Sequence, residues 1–375
     1  MTTRRVIVEP RGLASLRVRM LVPLLSILAA LVVGAVFLSL TGNSPTEVYL
    51  KMVDAAFGTN RGIGETLISA TPLILTGVAA AIAFRMLVWN IGAEGQLMVG
   101  AVAAAGFAIA IGDTLPGIVA VPLVLVGGAL GGALWASIAA VPRVYLGTNE
   151  IITTLMLNFI AINLMNYLVF GSFSPWRDPE STQFPQGRPL PDSINLPEIA
   201  DSLGRLDFGI LIAIGVAITA WFLIDKTPWG FELRVVGDSP DTARYSGIGV
   251  PRKILTVFLF SGAVAGLAGA ILVVGILGKM DPRSLDLGLG FVGIIVAALA
   301  RLNPVAVIPV GILMGALNNA GPALQSIQVP TATVTMLQGA ILIFAVAGEF
   351  FIANRIRRVR RPGRTSADVP VEGAT

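Results

Sequence analysis

Ten apolar segments dominate this sequence, and most of them approach the roughly 20 residues that a helix needs to cross a hydrocarbon core of about 30 Å. Because lipid offers no hydrogen-bond partners, a chain that crosses it many times folds as helices with internally paired backbone groups. The sequence therefore predicts an all-α membrane protein with about ten transmembrane helices. The segments fall at about residues 20–40, 66–84, 95–112, 117–140, 151–171, 208–224, 255–278, 290–301, 305–320 and 330–352.

The composition agrees with this prediction and excludes several classes of chemistry. Of the 375 residues, 55% are hydrophobic and 13% are charged, whereas about 25% of a soluble domain is charged. Cysteine and histidine are absent, which removes disulfides, thiol nucleophiles, imidazole bases and the usual zinc ligands. The sequence also contains no Gly-x-x-x-x-Gly-Lys-Ser/Thr motif, so any ATP must be hydrolysed by a partner.

The distribution of lysine and arginine predicts the orientation of the helices. With the N-terminus inside, ten crossings place 19 of the 26 Lys and Arg residues on the cytoplasmic side, mostly at the two termini. This split follows the positive-inside rule and favours an even number of crossings. We predict a cytoplasmic basic N-terminus (residues 1–19), a transmembrane domain (20–352) and a cytoplasmic basic tail (353–375). The proline-rich outer loop, residues 171–207, is expected to form an irregular or short-helical cap.

The cytoplasmic loop over residues 225–253 contains the signals of a short helix. Asp238 or Ser239 suits the N-cap, Pro240 the first helical position and Gly247 the end. Two interpretations fit this pattern. The loop is either a solvated connector or the carrier of a helix over about residues 240–246.

A polar break interrupts the apolar sequence between the second and third predicted spans. Residues 89–96 combine Asn90, Glu94 and Gln96 with two glycines. Backbone freed at such a break must face protein or water, and an ionisable group at membrane depth is rare without a role. Glu94 falls in the first turn of the next helix, where the helix dipole favours a negative charge. It is either a helix cap that bonds backbone amides or a functional group on a transport path.

Two predicted spans carry stripes of polar side chains. Such stripes either join helices through hydrogen bonds or line an aqueous path. The members are Asn158, Asn163 and Asn166 in the fifth span and Thr331, Thr335 and Gln338 in the tenth. Together with Asn90, Glu94 and Gln96, they are the candidates for the substrate path.

Glycines recur at four-residue spacing in several spans. Pairs of this kind allow two helix backbones to approach closely. They occur at Gly127/Gly131, Gly128/Gly132, Gly262/Gly266 and Gly311/Gly315. We expect these pairs to be packing sites, and they carry no information about a transported molecule.

A second glycine-rich break, residues 287–293, follows the seventh predicted span. It comes five helices after the first break, and this odd offset places the two similar segments in opposite orientations. Inverted repeats with discontinuous helices near the binding path are typical of transporters. The pattern therefore predicts transport by alternating access.

Three further motifs are residues 90–97 (NIGAEGQL), 147–158 (GTNEIITTLMLN) and 290–300 (GFVGIIVAALA). These segments resemble the permeases of bacterial nucleoside ABC importers, which belong with the ribose and branched-chain amino-acid permeases. The similarity covers roughly residues 20–350. With Gln96 after Gly95, the chain looks more like the longer of the two permeases that such systems usually encode. This resemblance implies a heterodimer. The chain departs from the family pattern at Ala300-Arg301, where relatives often have Leu-Gly-Arg.

The resemblance implies a type II importer fold with ten helices in each of two permeases. Two cytoplasmic ATPases would bind ATP and Mg, and an extracytoplasmic lipoprotein would deliver nucleosides, so no cofactor or metal is expected in this chain. In that fold the loop between the sixth and seventh helices carries the coupling helix. Asp241, Arg244 and Tyr245 are therefore the expected contacts with the ATPase. The fifth and tenth helices line the path, which favours Asn158 and Thr335 as lining residues.

Other classes of protein fit parts of the pattern. An ion-coupled secondary transporter also has ten helices and inverted repeats, but it needs membrane carboxylates or lysines, and Glu94 stands almost alone. A membrane-embedded enzyme needs a nucleophile, a metal site or an acid–base pair. A permease for another small sugar-like ligand is the remaining alternative. Membrane lipids are expected partners and nucleic acid is not, because the positive residues lie in loops beside apolar segments.

Overall fold

The computed structural model describes residues 4–10, 16–171, 173–181 and 185–360, and their regular structure is helical apart from two short strands. The elements are β1 (Arg4–Pro10), α1 (Leu16–Leu40), α2 (Pro45–Phe57), α3 (Asn60–Arg85), α4 (Ala93–Ile111), α5 (Gly117–Leu146), α6 (Glu150–Phe170), α7 (Gly209–Lys226), α8 (Pro228–Asp238), α9 (Pro240–Tyr245), α10 (Val250–Ile271), α11 (Pro282–Leu285), α12 (Leu289–Leu299), α13 (Pro304–Gln325), α14 (Ala332–Ala353) and β2 (Asn354–Arg360). A π-helical turn, Leu272–Leu277, extends α10, and short 3-10 turns lie at Gly112–Thr114, Asp192–Ile194 and Asp201–Leu203.

Nine segments of the described chain are long and apolar enough to cross a membrane, and they match the first nine predicted spans. The eighth of them consists of α11 and α12 together, Pro282–Leu299. The tenth predicted span is α14, although its apolar stretch, Ala332–Gly348, is shorter than the others. The prediction of an all-α membrane protein with about ten transmembrane helices is confirmed.

Two helices outside the spans, α2 and α8, are not predicted from the sequence. α2 buries Val48, Met52 and Ala56 on one side, and α8 buries Leu233 and Val236. Both are short, with 13 and 11 residues, and amphipathic. Such helices contain no long apolar run in the sequence, because their apolar residues occupy one face only.

Backbone contacts divide the chain into two units, Met1–Gly34 with Gly339–Thr375, and Ala35–Gln338. In the first unit, β1 and β2 pair antiparallel, with Arg4 opposite Arg360. Ser26 Oγ of α1 donates a hydrogen bond to the carbonyl oxygen of Phe344 in α14 (2.8 Å). The two arginine-containing strands, β1 and β2, thus run side by side. No local pattern in the sequence predicts this pairing. The last part of the predicted tail, residues 361–375, lies outside the described residues.

Glycines make the closest helix contacts in the second unit. α10 packs on α5, where a Cβ at Gly132 would overlap the carbonyl oxygen of Gly262, and a Cβ at Gly266 would overlap that of Gly128. On α4, a Cβ at Gly100 would overlap the backbone of Gly266. Helices α4, α5 and α10 therefore meet backbone to backbone. The predicted packing role of these two glycine pairs is confirmed.

The predicted outer loop between α6 and α7 is irregular with short 3-10 turns, as expected, and Asp207 anchors its end. The Asp207 side chain is buried, and its Oδ1 accepts a hydrogen bond from the Gly209 amide (2.7 Å). Its Oδ2 has no hydrogen-bond partner among the described residues and lies against Gly275 in the π-helical turn. Burial raises the pKa of Asp207 to about 6, opposed by the Gly209 hydrogen bond and assisted by the neighbouring Glu198.

We expect Asp207→Asn to remove a pH dependence from the stability of the protein. The folded state holds the Asp207 proton up to about pH 6, whereas the usual pKa is 3.8, so the free energy of unfolding falls as pH rises through this window. The fall is on the order of 3 kcal/mol. Thermal unfolding in detergent at several pH values measures it, with the exposed Asp192→Asn as a control. An unchanged slope in Asp207→Asn would contradict this account.

Candidate translocation and coupling sites

The two glycine-rich breaks predicted from the sequence meet inside the protein. Residues 87–91, between α3 and α4, are not helical, and α12 begins at Leu289 after a left-handed Gly288 (φ 70°). Gly290 packs so closely on α4 that a Cβ there would overlap the backbone nitrogen of Glu94. α12 has 11 residues and is therefore about 16 Å long. This is about half the thickness of a hydrocarbon core, so α12 alone is too short to cross one.

Glu94 connects the two breaks. It is the second residue of α4 and only 1% exposed. Its Oε1 accepts a hydrogen bond from the Gly288 amide (3.1 Å), and its Oε2 accepts one from the Gly290 amide (2.5 Å). The predicted position of Glu94 at a helix N-terminus, bonded to backbone amides, is confirmed. The amides belong to the start of α12, however, so Glu94 satisfies the orphan donors of a second helix instead of those of its own.

Asn90 and Gln96 form a closed pair of amides on the first break. The Asn90 Nδ2 donates to Gln96 Oε1 (3.2 Å), and the Gln96 Nε2 donates to Asn90 Oδ1 (3.0 Å). Asn90 also donates to Ser261 Oγ of α10 (3.0 Å), which in turn donates to the Ala79 carbonyl of α3 (2.8 Å). All of these side chains are buried. The network fixes the non-helical segment between two helices.

Asn158 of α6 holds the other side of the first break. Its Oδ1 accepts a hydrogen bond from the Gly95 amide (2.8 Å), and its Nδ2 donates to the Ile91 carbonyl (2.9 Å). One amide side chain thus bonds the backbone before and after the start of α4. Asn158 therefore joins α6 to the start of α4 through both atoms of its amide group.

Ser261 and Thr76 support the breaks but are not among the residues selected from the sequence. Thr76 Oγ1 lies 3.2 Å from the carbonyl oxygen of Leu289 and 2.8 Å from that of Pro72 in its own helix. A lone Ser or Thr in an apolar helix usually bonds the carbonyl four residues earlier. Nothing in the sequence therefore distinguishes these two hydroxyl groups from others.

The polar stripes of the fifth and tenth predicted spans contain residues in different surroundings. Asn163, Thr331 and Thr335 are exposed, and Asn166 is half-buried. Gln338 is buried and donates a hydrogen bond to Asn318 Oδ1 (2.7 Å). The stripe on each helix thus includes residues that face outward and residues that join helices.

Two neighbouring cavities lie beside the second break, at the end of α6. The larger, of about 380 Å³, is lined by Asn166, Phe170, Pro282, Arg283 and Asp286. The smaller, of about 170 Å³, shares Phe170, Pro282 and Arg283 with it and is otherwise lined by Pro185, Gln186, Gly187, Lys279 and Asp281. Asp286, which lines the larger cavity, precedes Gly288 by two residues in the sequence.

The loop between α7 and α10 carries α9 as predicted. Ser239 caps the helix by accepting a hydrogen bond from the Thr242 amide (3.3 Å), with Pro240 at its start. The face of α9 that carries Tyr245 is exposed, and Tyr245 itself is 97% exposed. Asp241 and Arg244 on this face form an ion pair with each other (2.6 Å). The predicted contact of these residues with an ATPase remains a prediction.

Paired discontinuous helices inside a bundle of spans, together with a short exposed helix between two spans, define a membrane transport protein. Residues 62–346 match the family described as branched-chain amino acid transport system / permease component. The chain belongs to this family of ABC importer permeases and is a multi-pass protein of the plasma membrane. Permeases of this family work with an ATPase and a binding protein.

Named relatives agree with this assignment. The guanosine ABC transporter permease protein NupP of Bacillus subtilis is 34% identical over 92% of this chain and 97% of its own length. The glucose ABC transporter permease protein TsgB13 of Haloferax volcanii is 33% identical over 89% of each chain. The nucleoside ABC transporter permease protein NupB of Lactococcus lactis is 30% identical over 89% of this chain and 92% of its own. The resemblance to nucleoside permeases is confirmed.

We expect Glu94→Gln to destabilise the protein, because one amide oxygen cannot replace the two oxygens that accept from Gly288 and Gly290. An unpaired buried donor lowers the free energy of unfolding by about 1–3 kcal/mol. Thermal unfolding in detergent measures the change. Glu47→Gln is a matched control, since Glu47 lies in the first turn of α2 and is exposed. Equal stability of the two variants would show that the Glu94 bonds contribute little.

Proposed function

We propose that this permease imports nucleosides, with guanosine the first substrate to test. The observation that carries the proposal is the similarity to a guanosine permease, which extends over 92% of the chain. The protein would move its substrate by alternating access, driven by ATP hydrolysis in a partner.

The glucose permease from Haloferax volcanii favours a second candidate, the import of a sugar. The two relatives have nearly equal identity to this chain, so similarity alone does not separate the candidates. A nucleoside and a sugar share a hydroxyl-bearing ring, and the planar base is what distinguishes them. A side chain that contacts the base would therefore separate the two candidates.

The two neighbouring cavities at the end of α6 are together suited to a neutral molecule of this kind. Their charged lining residues are Lys279, Asp281, Arg283 and Asp286, so positive and negative groups are balanced. The start of α12 would attract an anion, but Glu94 already occupies its amides. Phe170 offers an aromatic surface to a base, and Asn166 offers hydrogen bonds to hydroxyl groups. These features favour a nucleoside over its phosphorylated form.

The predicted path residues divide into two groups on this proposal. The exposed or cavity-lining group faces the substrate and consists of Asn163, Asn166, Thr331 and Thr335. The buried group holds the helices around the path and consists of Asn90, Glu94, Gln96, Asn158 and Gln338. The burial and internal hydrogen bonds of the second group support this division.

The proposed partners are a separate ATPase that binds ATP and Mg, a second permease and an extracytoplasmic nucleoside-binding lipoprotein. The permease itself would have no catalytic activity. Both termini would be cytoplasmic, as the positive-inside rule predicts. The pairing of β1 with β2 supports the placement of both chain ends on one side of the membrane.

Uptake of labelled guanosine tests the function directly. The permease is reconstituted in vesicles with its partner permease, ATPase and binding protein, and uptake is measured with and without ATP. Competition by unlabelled nucleosides, but not by glucose, is expected. Competition by glucose alone would favour the sugar candidate, and uptake without ATP would favour an ion-coupled transporter.

We expect Tyr245→Ala to separate the permease from its ATPase. A buried aromatic anchor at an interface contributes about 2–4 kcal/mol, and Tyr245 is free to be buried by a partner because it is 97% exposed. The variant should fold normally, bind the ATPase at least about 30-fold more weakly, and lose the ATPase stimulation caused by substrate. Co-purification and ATP hydrolysis measure these effects.

Tyr145→Ala is the matched control, because Tyr145 is 75% exposed and lies near the end of α5, beside the ion pair of Arg143 with Glu150. It should leave ATPase binding unchanged. If Tyr145→Ala weakened binding and Tyr245→Ala did not, the coupling contact would belong to residues 143–150.

A further inference from the structure

The ends of three helices, α3, α7 and α12, are joined by Arg85, the last residue of α3. Its Nη2 pairs with Asp225 Oδ1 in the last turn of α7 (3.2 Å). Its Nε donates a hydrogen bond to the Leu302 carbonyl oxygen (3.2 Å), in the turn that follows α12. Asp225 is shared with Arg234 of α8 (3.5 Å), which also donates to the Ile224 carbonyl (3.2 Å). Residues 227–249, which contain α8 and α9, are called the α8–α9 loop. Arg85 therefore connects this loop, through Asp225 and Arg234, to the turn after α12.

The turn that Arg85 bonds has a strained backbone. Arg301 and Leu302 both adopt left-handed conformations, with φ of 53° and 57°. Residues with a side chain rarely adopt this conformation, and they keep it only where the surroundings hold them. Asn303 then caps α13 by accepting hydrogen bonds from the two following amides. A fixed contact at Leu302 thus determines the path of the chain between α12 and α13.

α12 is attached to α3 near both of its ends. At its start, Thr76 Oγ1 lies within hydrogen-bond distance of the Leu289 carbonyl, and Gly293 packs on Thr76. After its end, Arg85 holds Leu302. The start of α12 also donates to Glu94. A displacement at Leu302 therefore reaches the helix break through one short helix of 11 residues.

We infer that Arg85 is a positioning residue, which transmits movement of the α8–α9 loop through Asp225 and α12 to the helix break at Glu94. The inference rests on the proposed function, in which α9 receives the movement of the ATPase. Arginine suits this position, because its planar group donates from Nε and Nη2 at the same time and in fixed directions. Lysine keeps the positive charge but has no such rigid pair of donors.

A second ion pair provides a matched control at the other end of the same two helices. Arg205, four residues before α7, pairs with Glu65 of α3 through two hydrogen bonds (3.0 and 3.2 Å). This pair also joins α3 to the chain near α7, but it touches neither α8 nor the turn after α12. Arg205→Lys therefore removes a comparable contact that lies off the proposed route.

The experiment measures substrate taken up per ATP hydrolysed in vesicles that contain the complete transporter. We expect Arg85→Lys to lower this ratio by about 5-fold or more, within the range of typical coupling between two sites. Asp225→Ala should lower it as well, because it releases Arg85 from Arg234. Arg205→Lys should leave the ratio unchanged. A structural role alone would lower the amount of folded protein, and uptake and hydrolysis together, without changing their ratio.

Three results would overturn the inference. They are an unchanged ratio in both Arg85→Lys and Asp225→Ala, a parallel loss of uptake and hydrolysis in both, or an equal fall of the ratio in Arg205→Lys. If Arg85→Lys fails to fold, Asp225→Ala decides alone. Failure of the proposed function would be recognised separately. In that case the wild-type protein would take up no nucleoside, or substrate would still fully stimulate ATP hydrolysis in Tyr245→Ala.

Discussion

The structure depends on pairing the backbone groups at the starts of α4 and α12, which are buried in the protein. Water does not reach buried amides, so the protein must supply the acceptors itself. Glu94 supplies both oxygens for the start of α12, while Asn158 supplies one for the start of α4. Because Glu94 stands at the start of α4, the pairing also brings the two breaks into contact.

This arrangement gives the permease a discontinuity where α4 and α12 begin. A continuous helix resists bending, whereas α4 and α12 are separate helices whose starts are joined by the hydrogen bonds of one side chain. α12 leads from the break to Leu302, and Arg85 binds the chain there beside α8. On the proposed function such a link is needed, because the energy for transport enters through a separate ATPase.

The sequence predicted the spans, the two breaks and the short helix α9, because each has a local signal in apolar length, glycine content or capping residues. It did not predict that the breaks touch, since the bond from Gly290 to Glu94 joins residues 196 positions apart. Arg85 was counted only among the 19 cytoplasmic Lys and Arg residues, and residue 225 was only the start of a loop, although Arg85 and Asp225 form an ion pair. The left-handed turn at Arg301 was equally hidden, because the glycine that usually marks such a turn is absent. Contacts between distant segments have no local pattern.

The glycine contacts among α4, α5 and α10 have a mechanical consequence. Where Gly132 and Gly266 touch, no side chain is available to change rotamer and absorb a displacement. Two backbones in direct contact cannot rotate against each other without opening a void. Helices α4, α5 and α10 therefore have to move as one rigid body. In a transport cycle, α4, α5 and α10 would then act as one rigid unit. This unit carries Glu94, so any bending has to occur at the non-helical segments beside it.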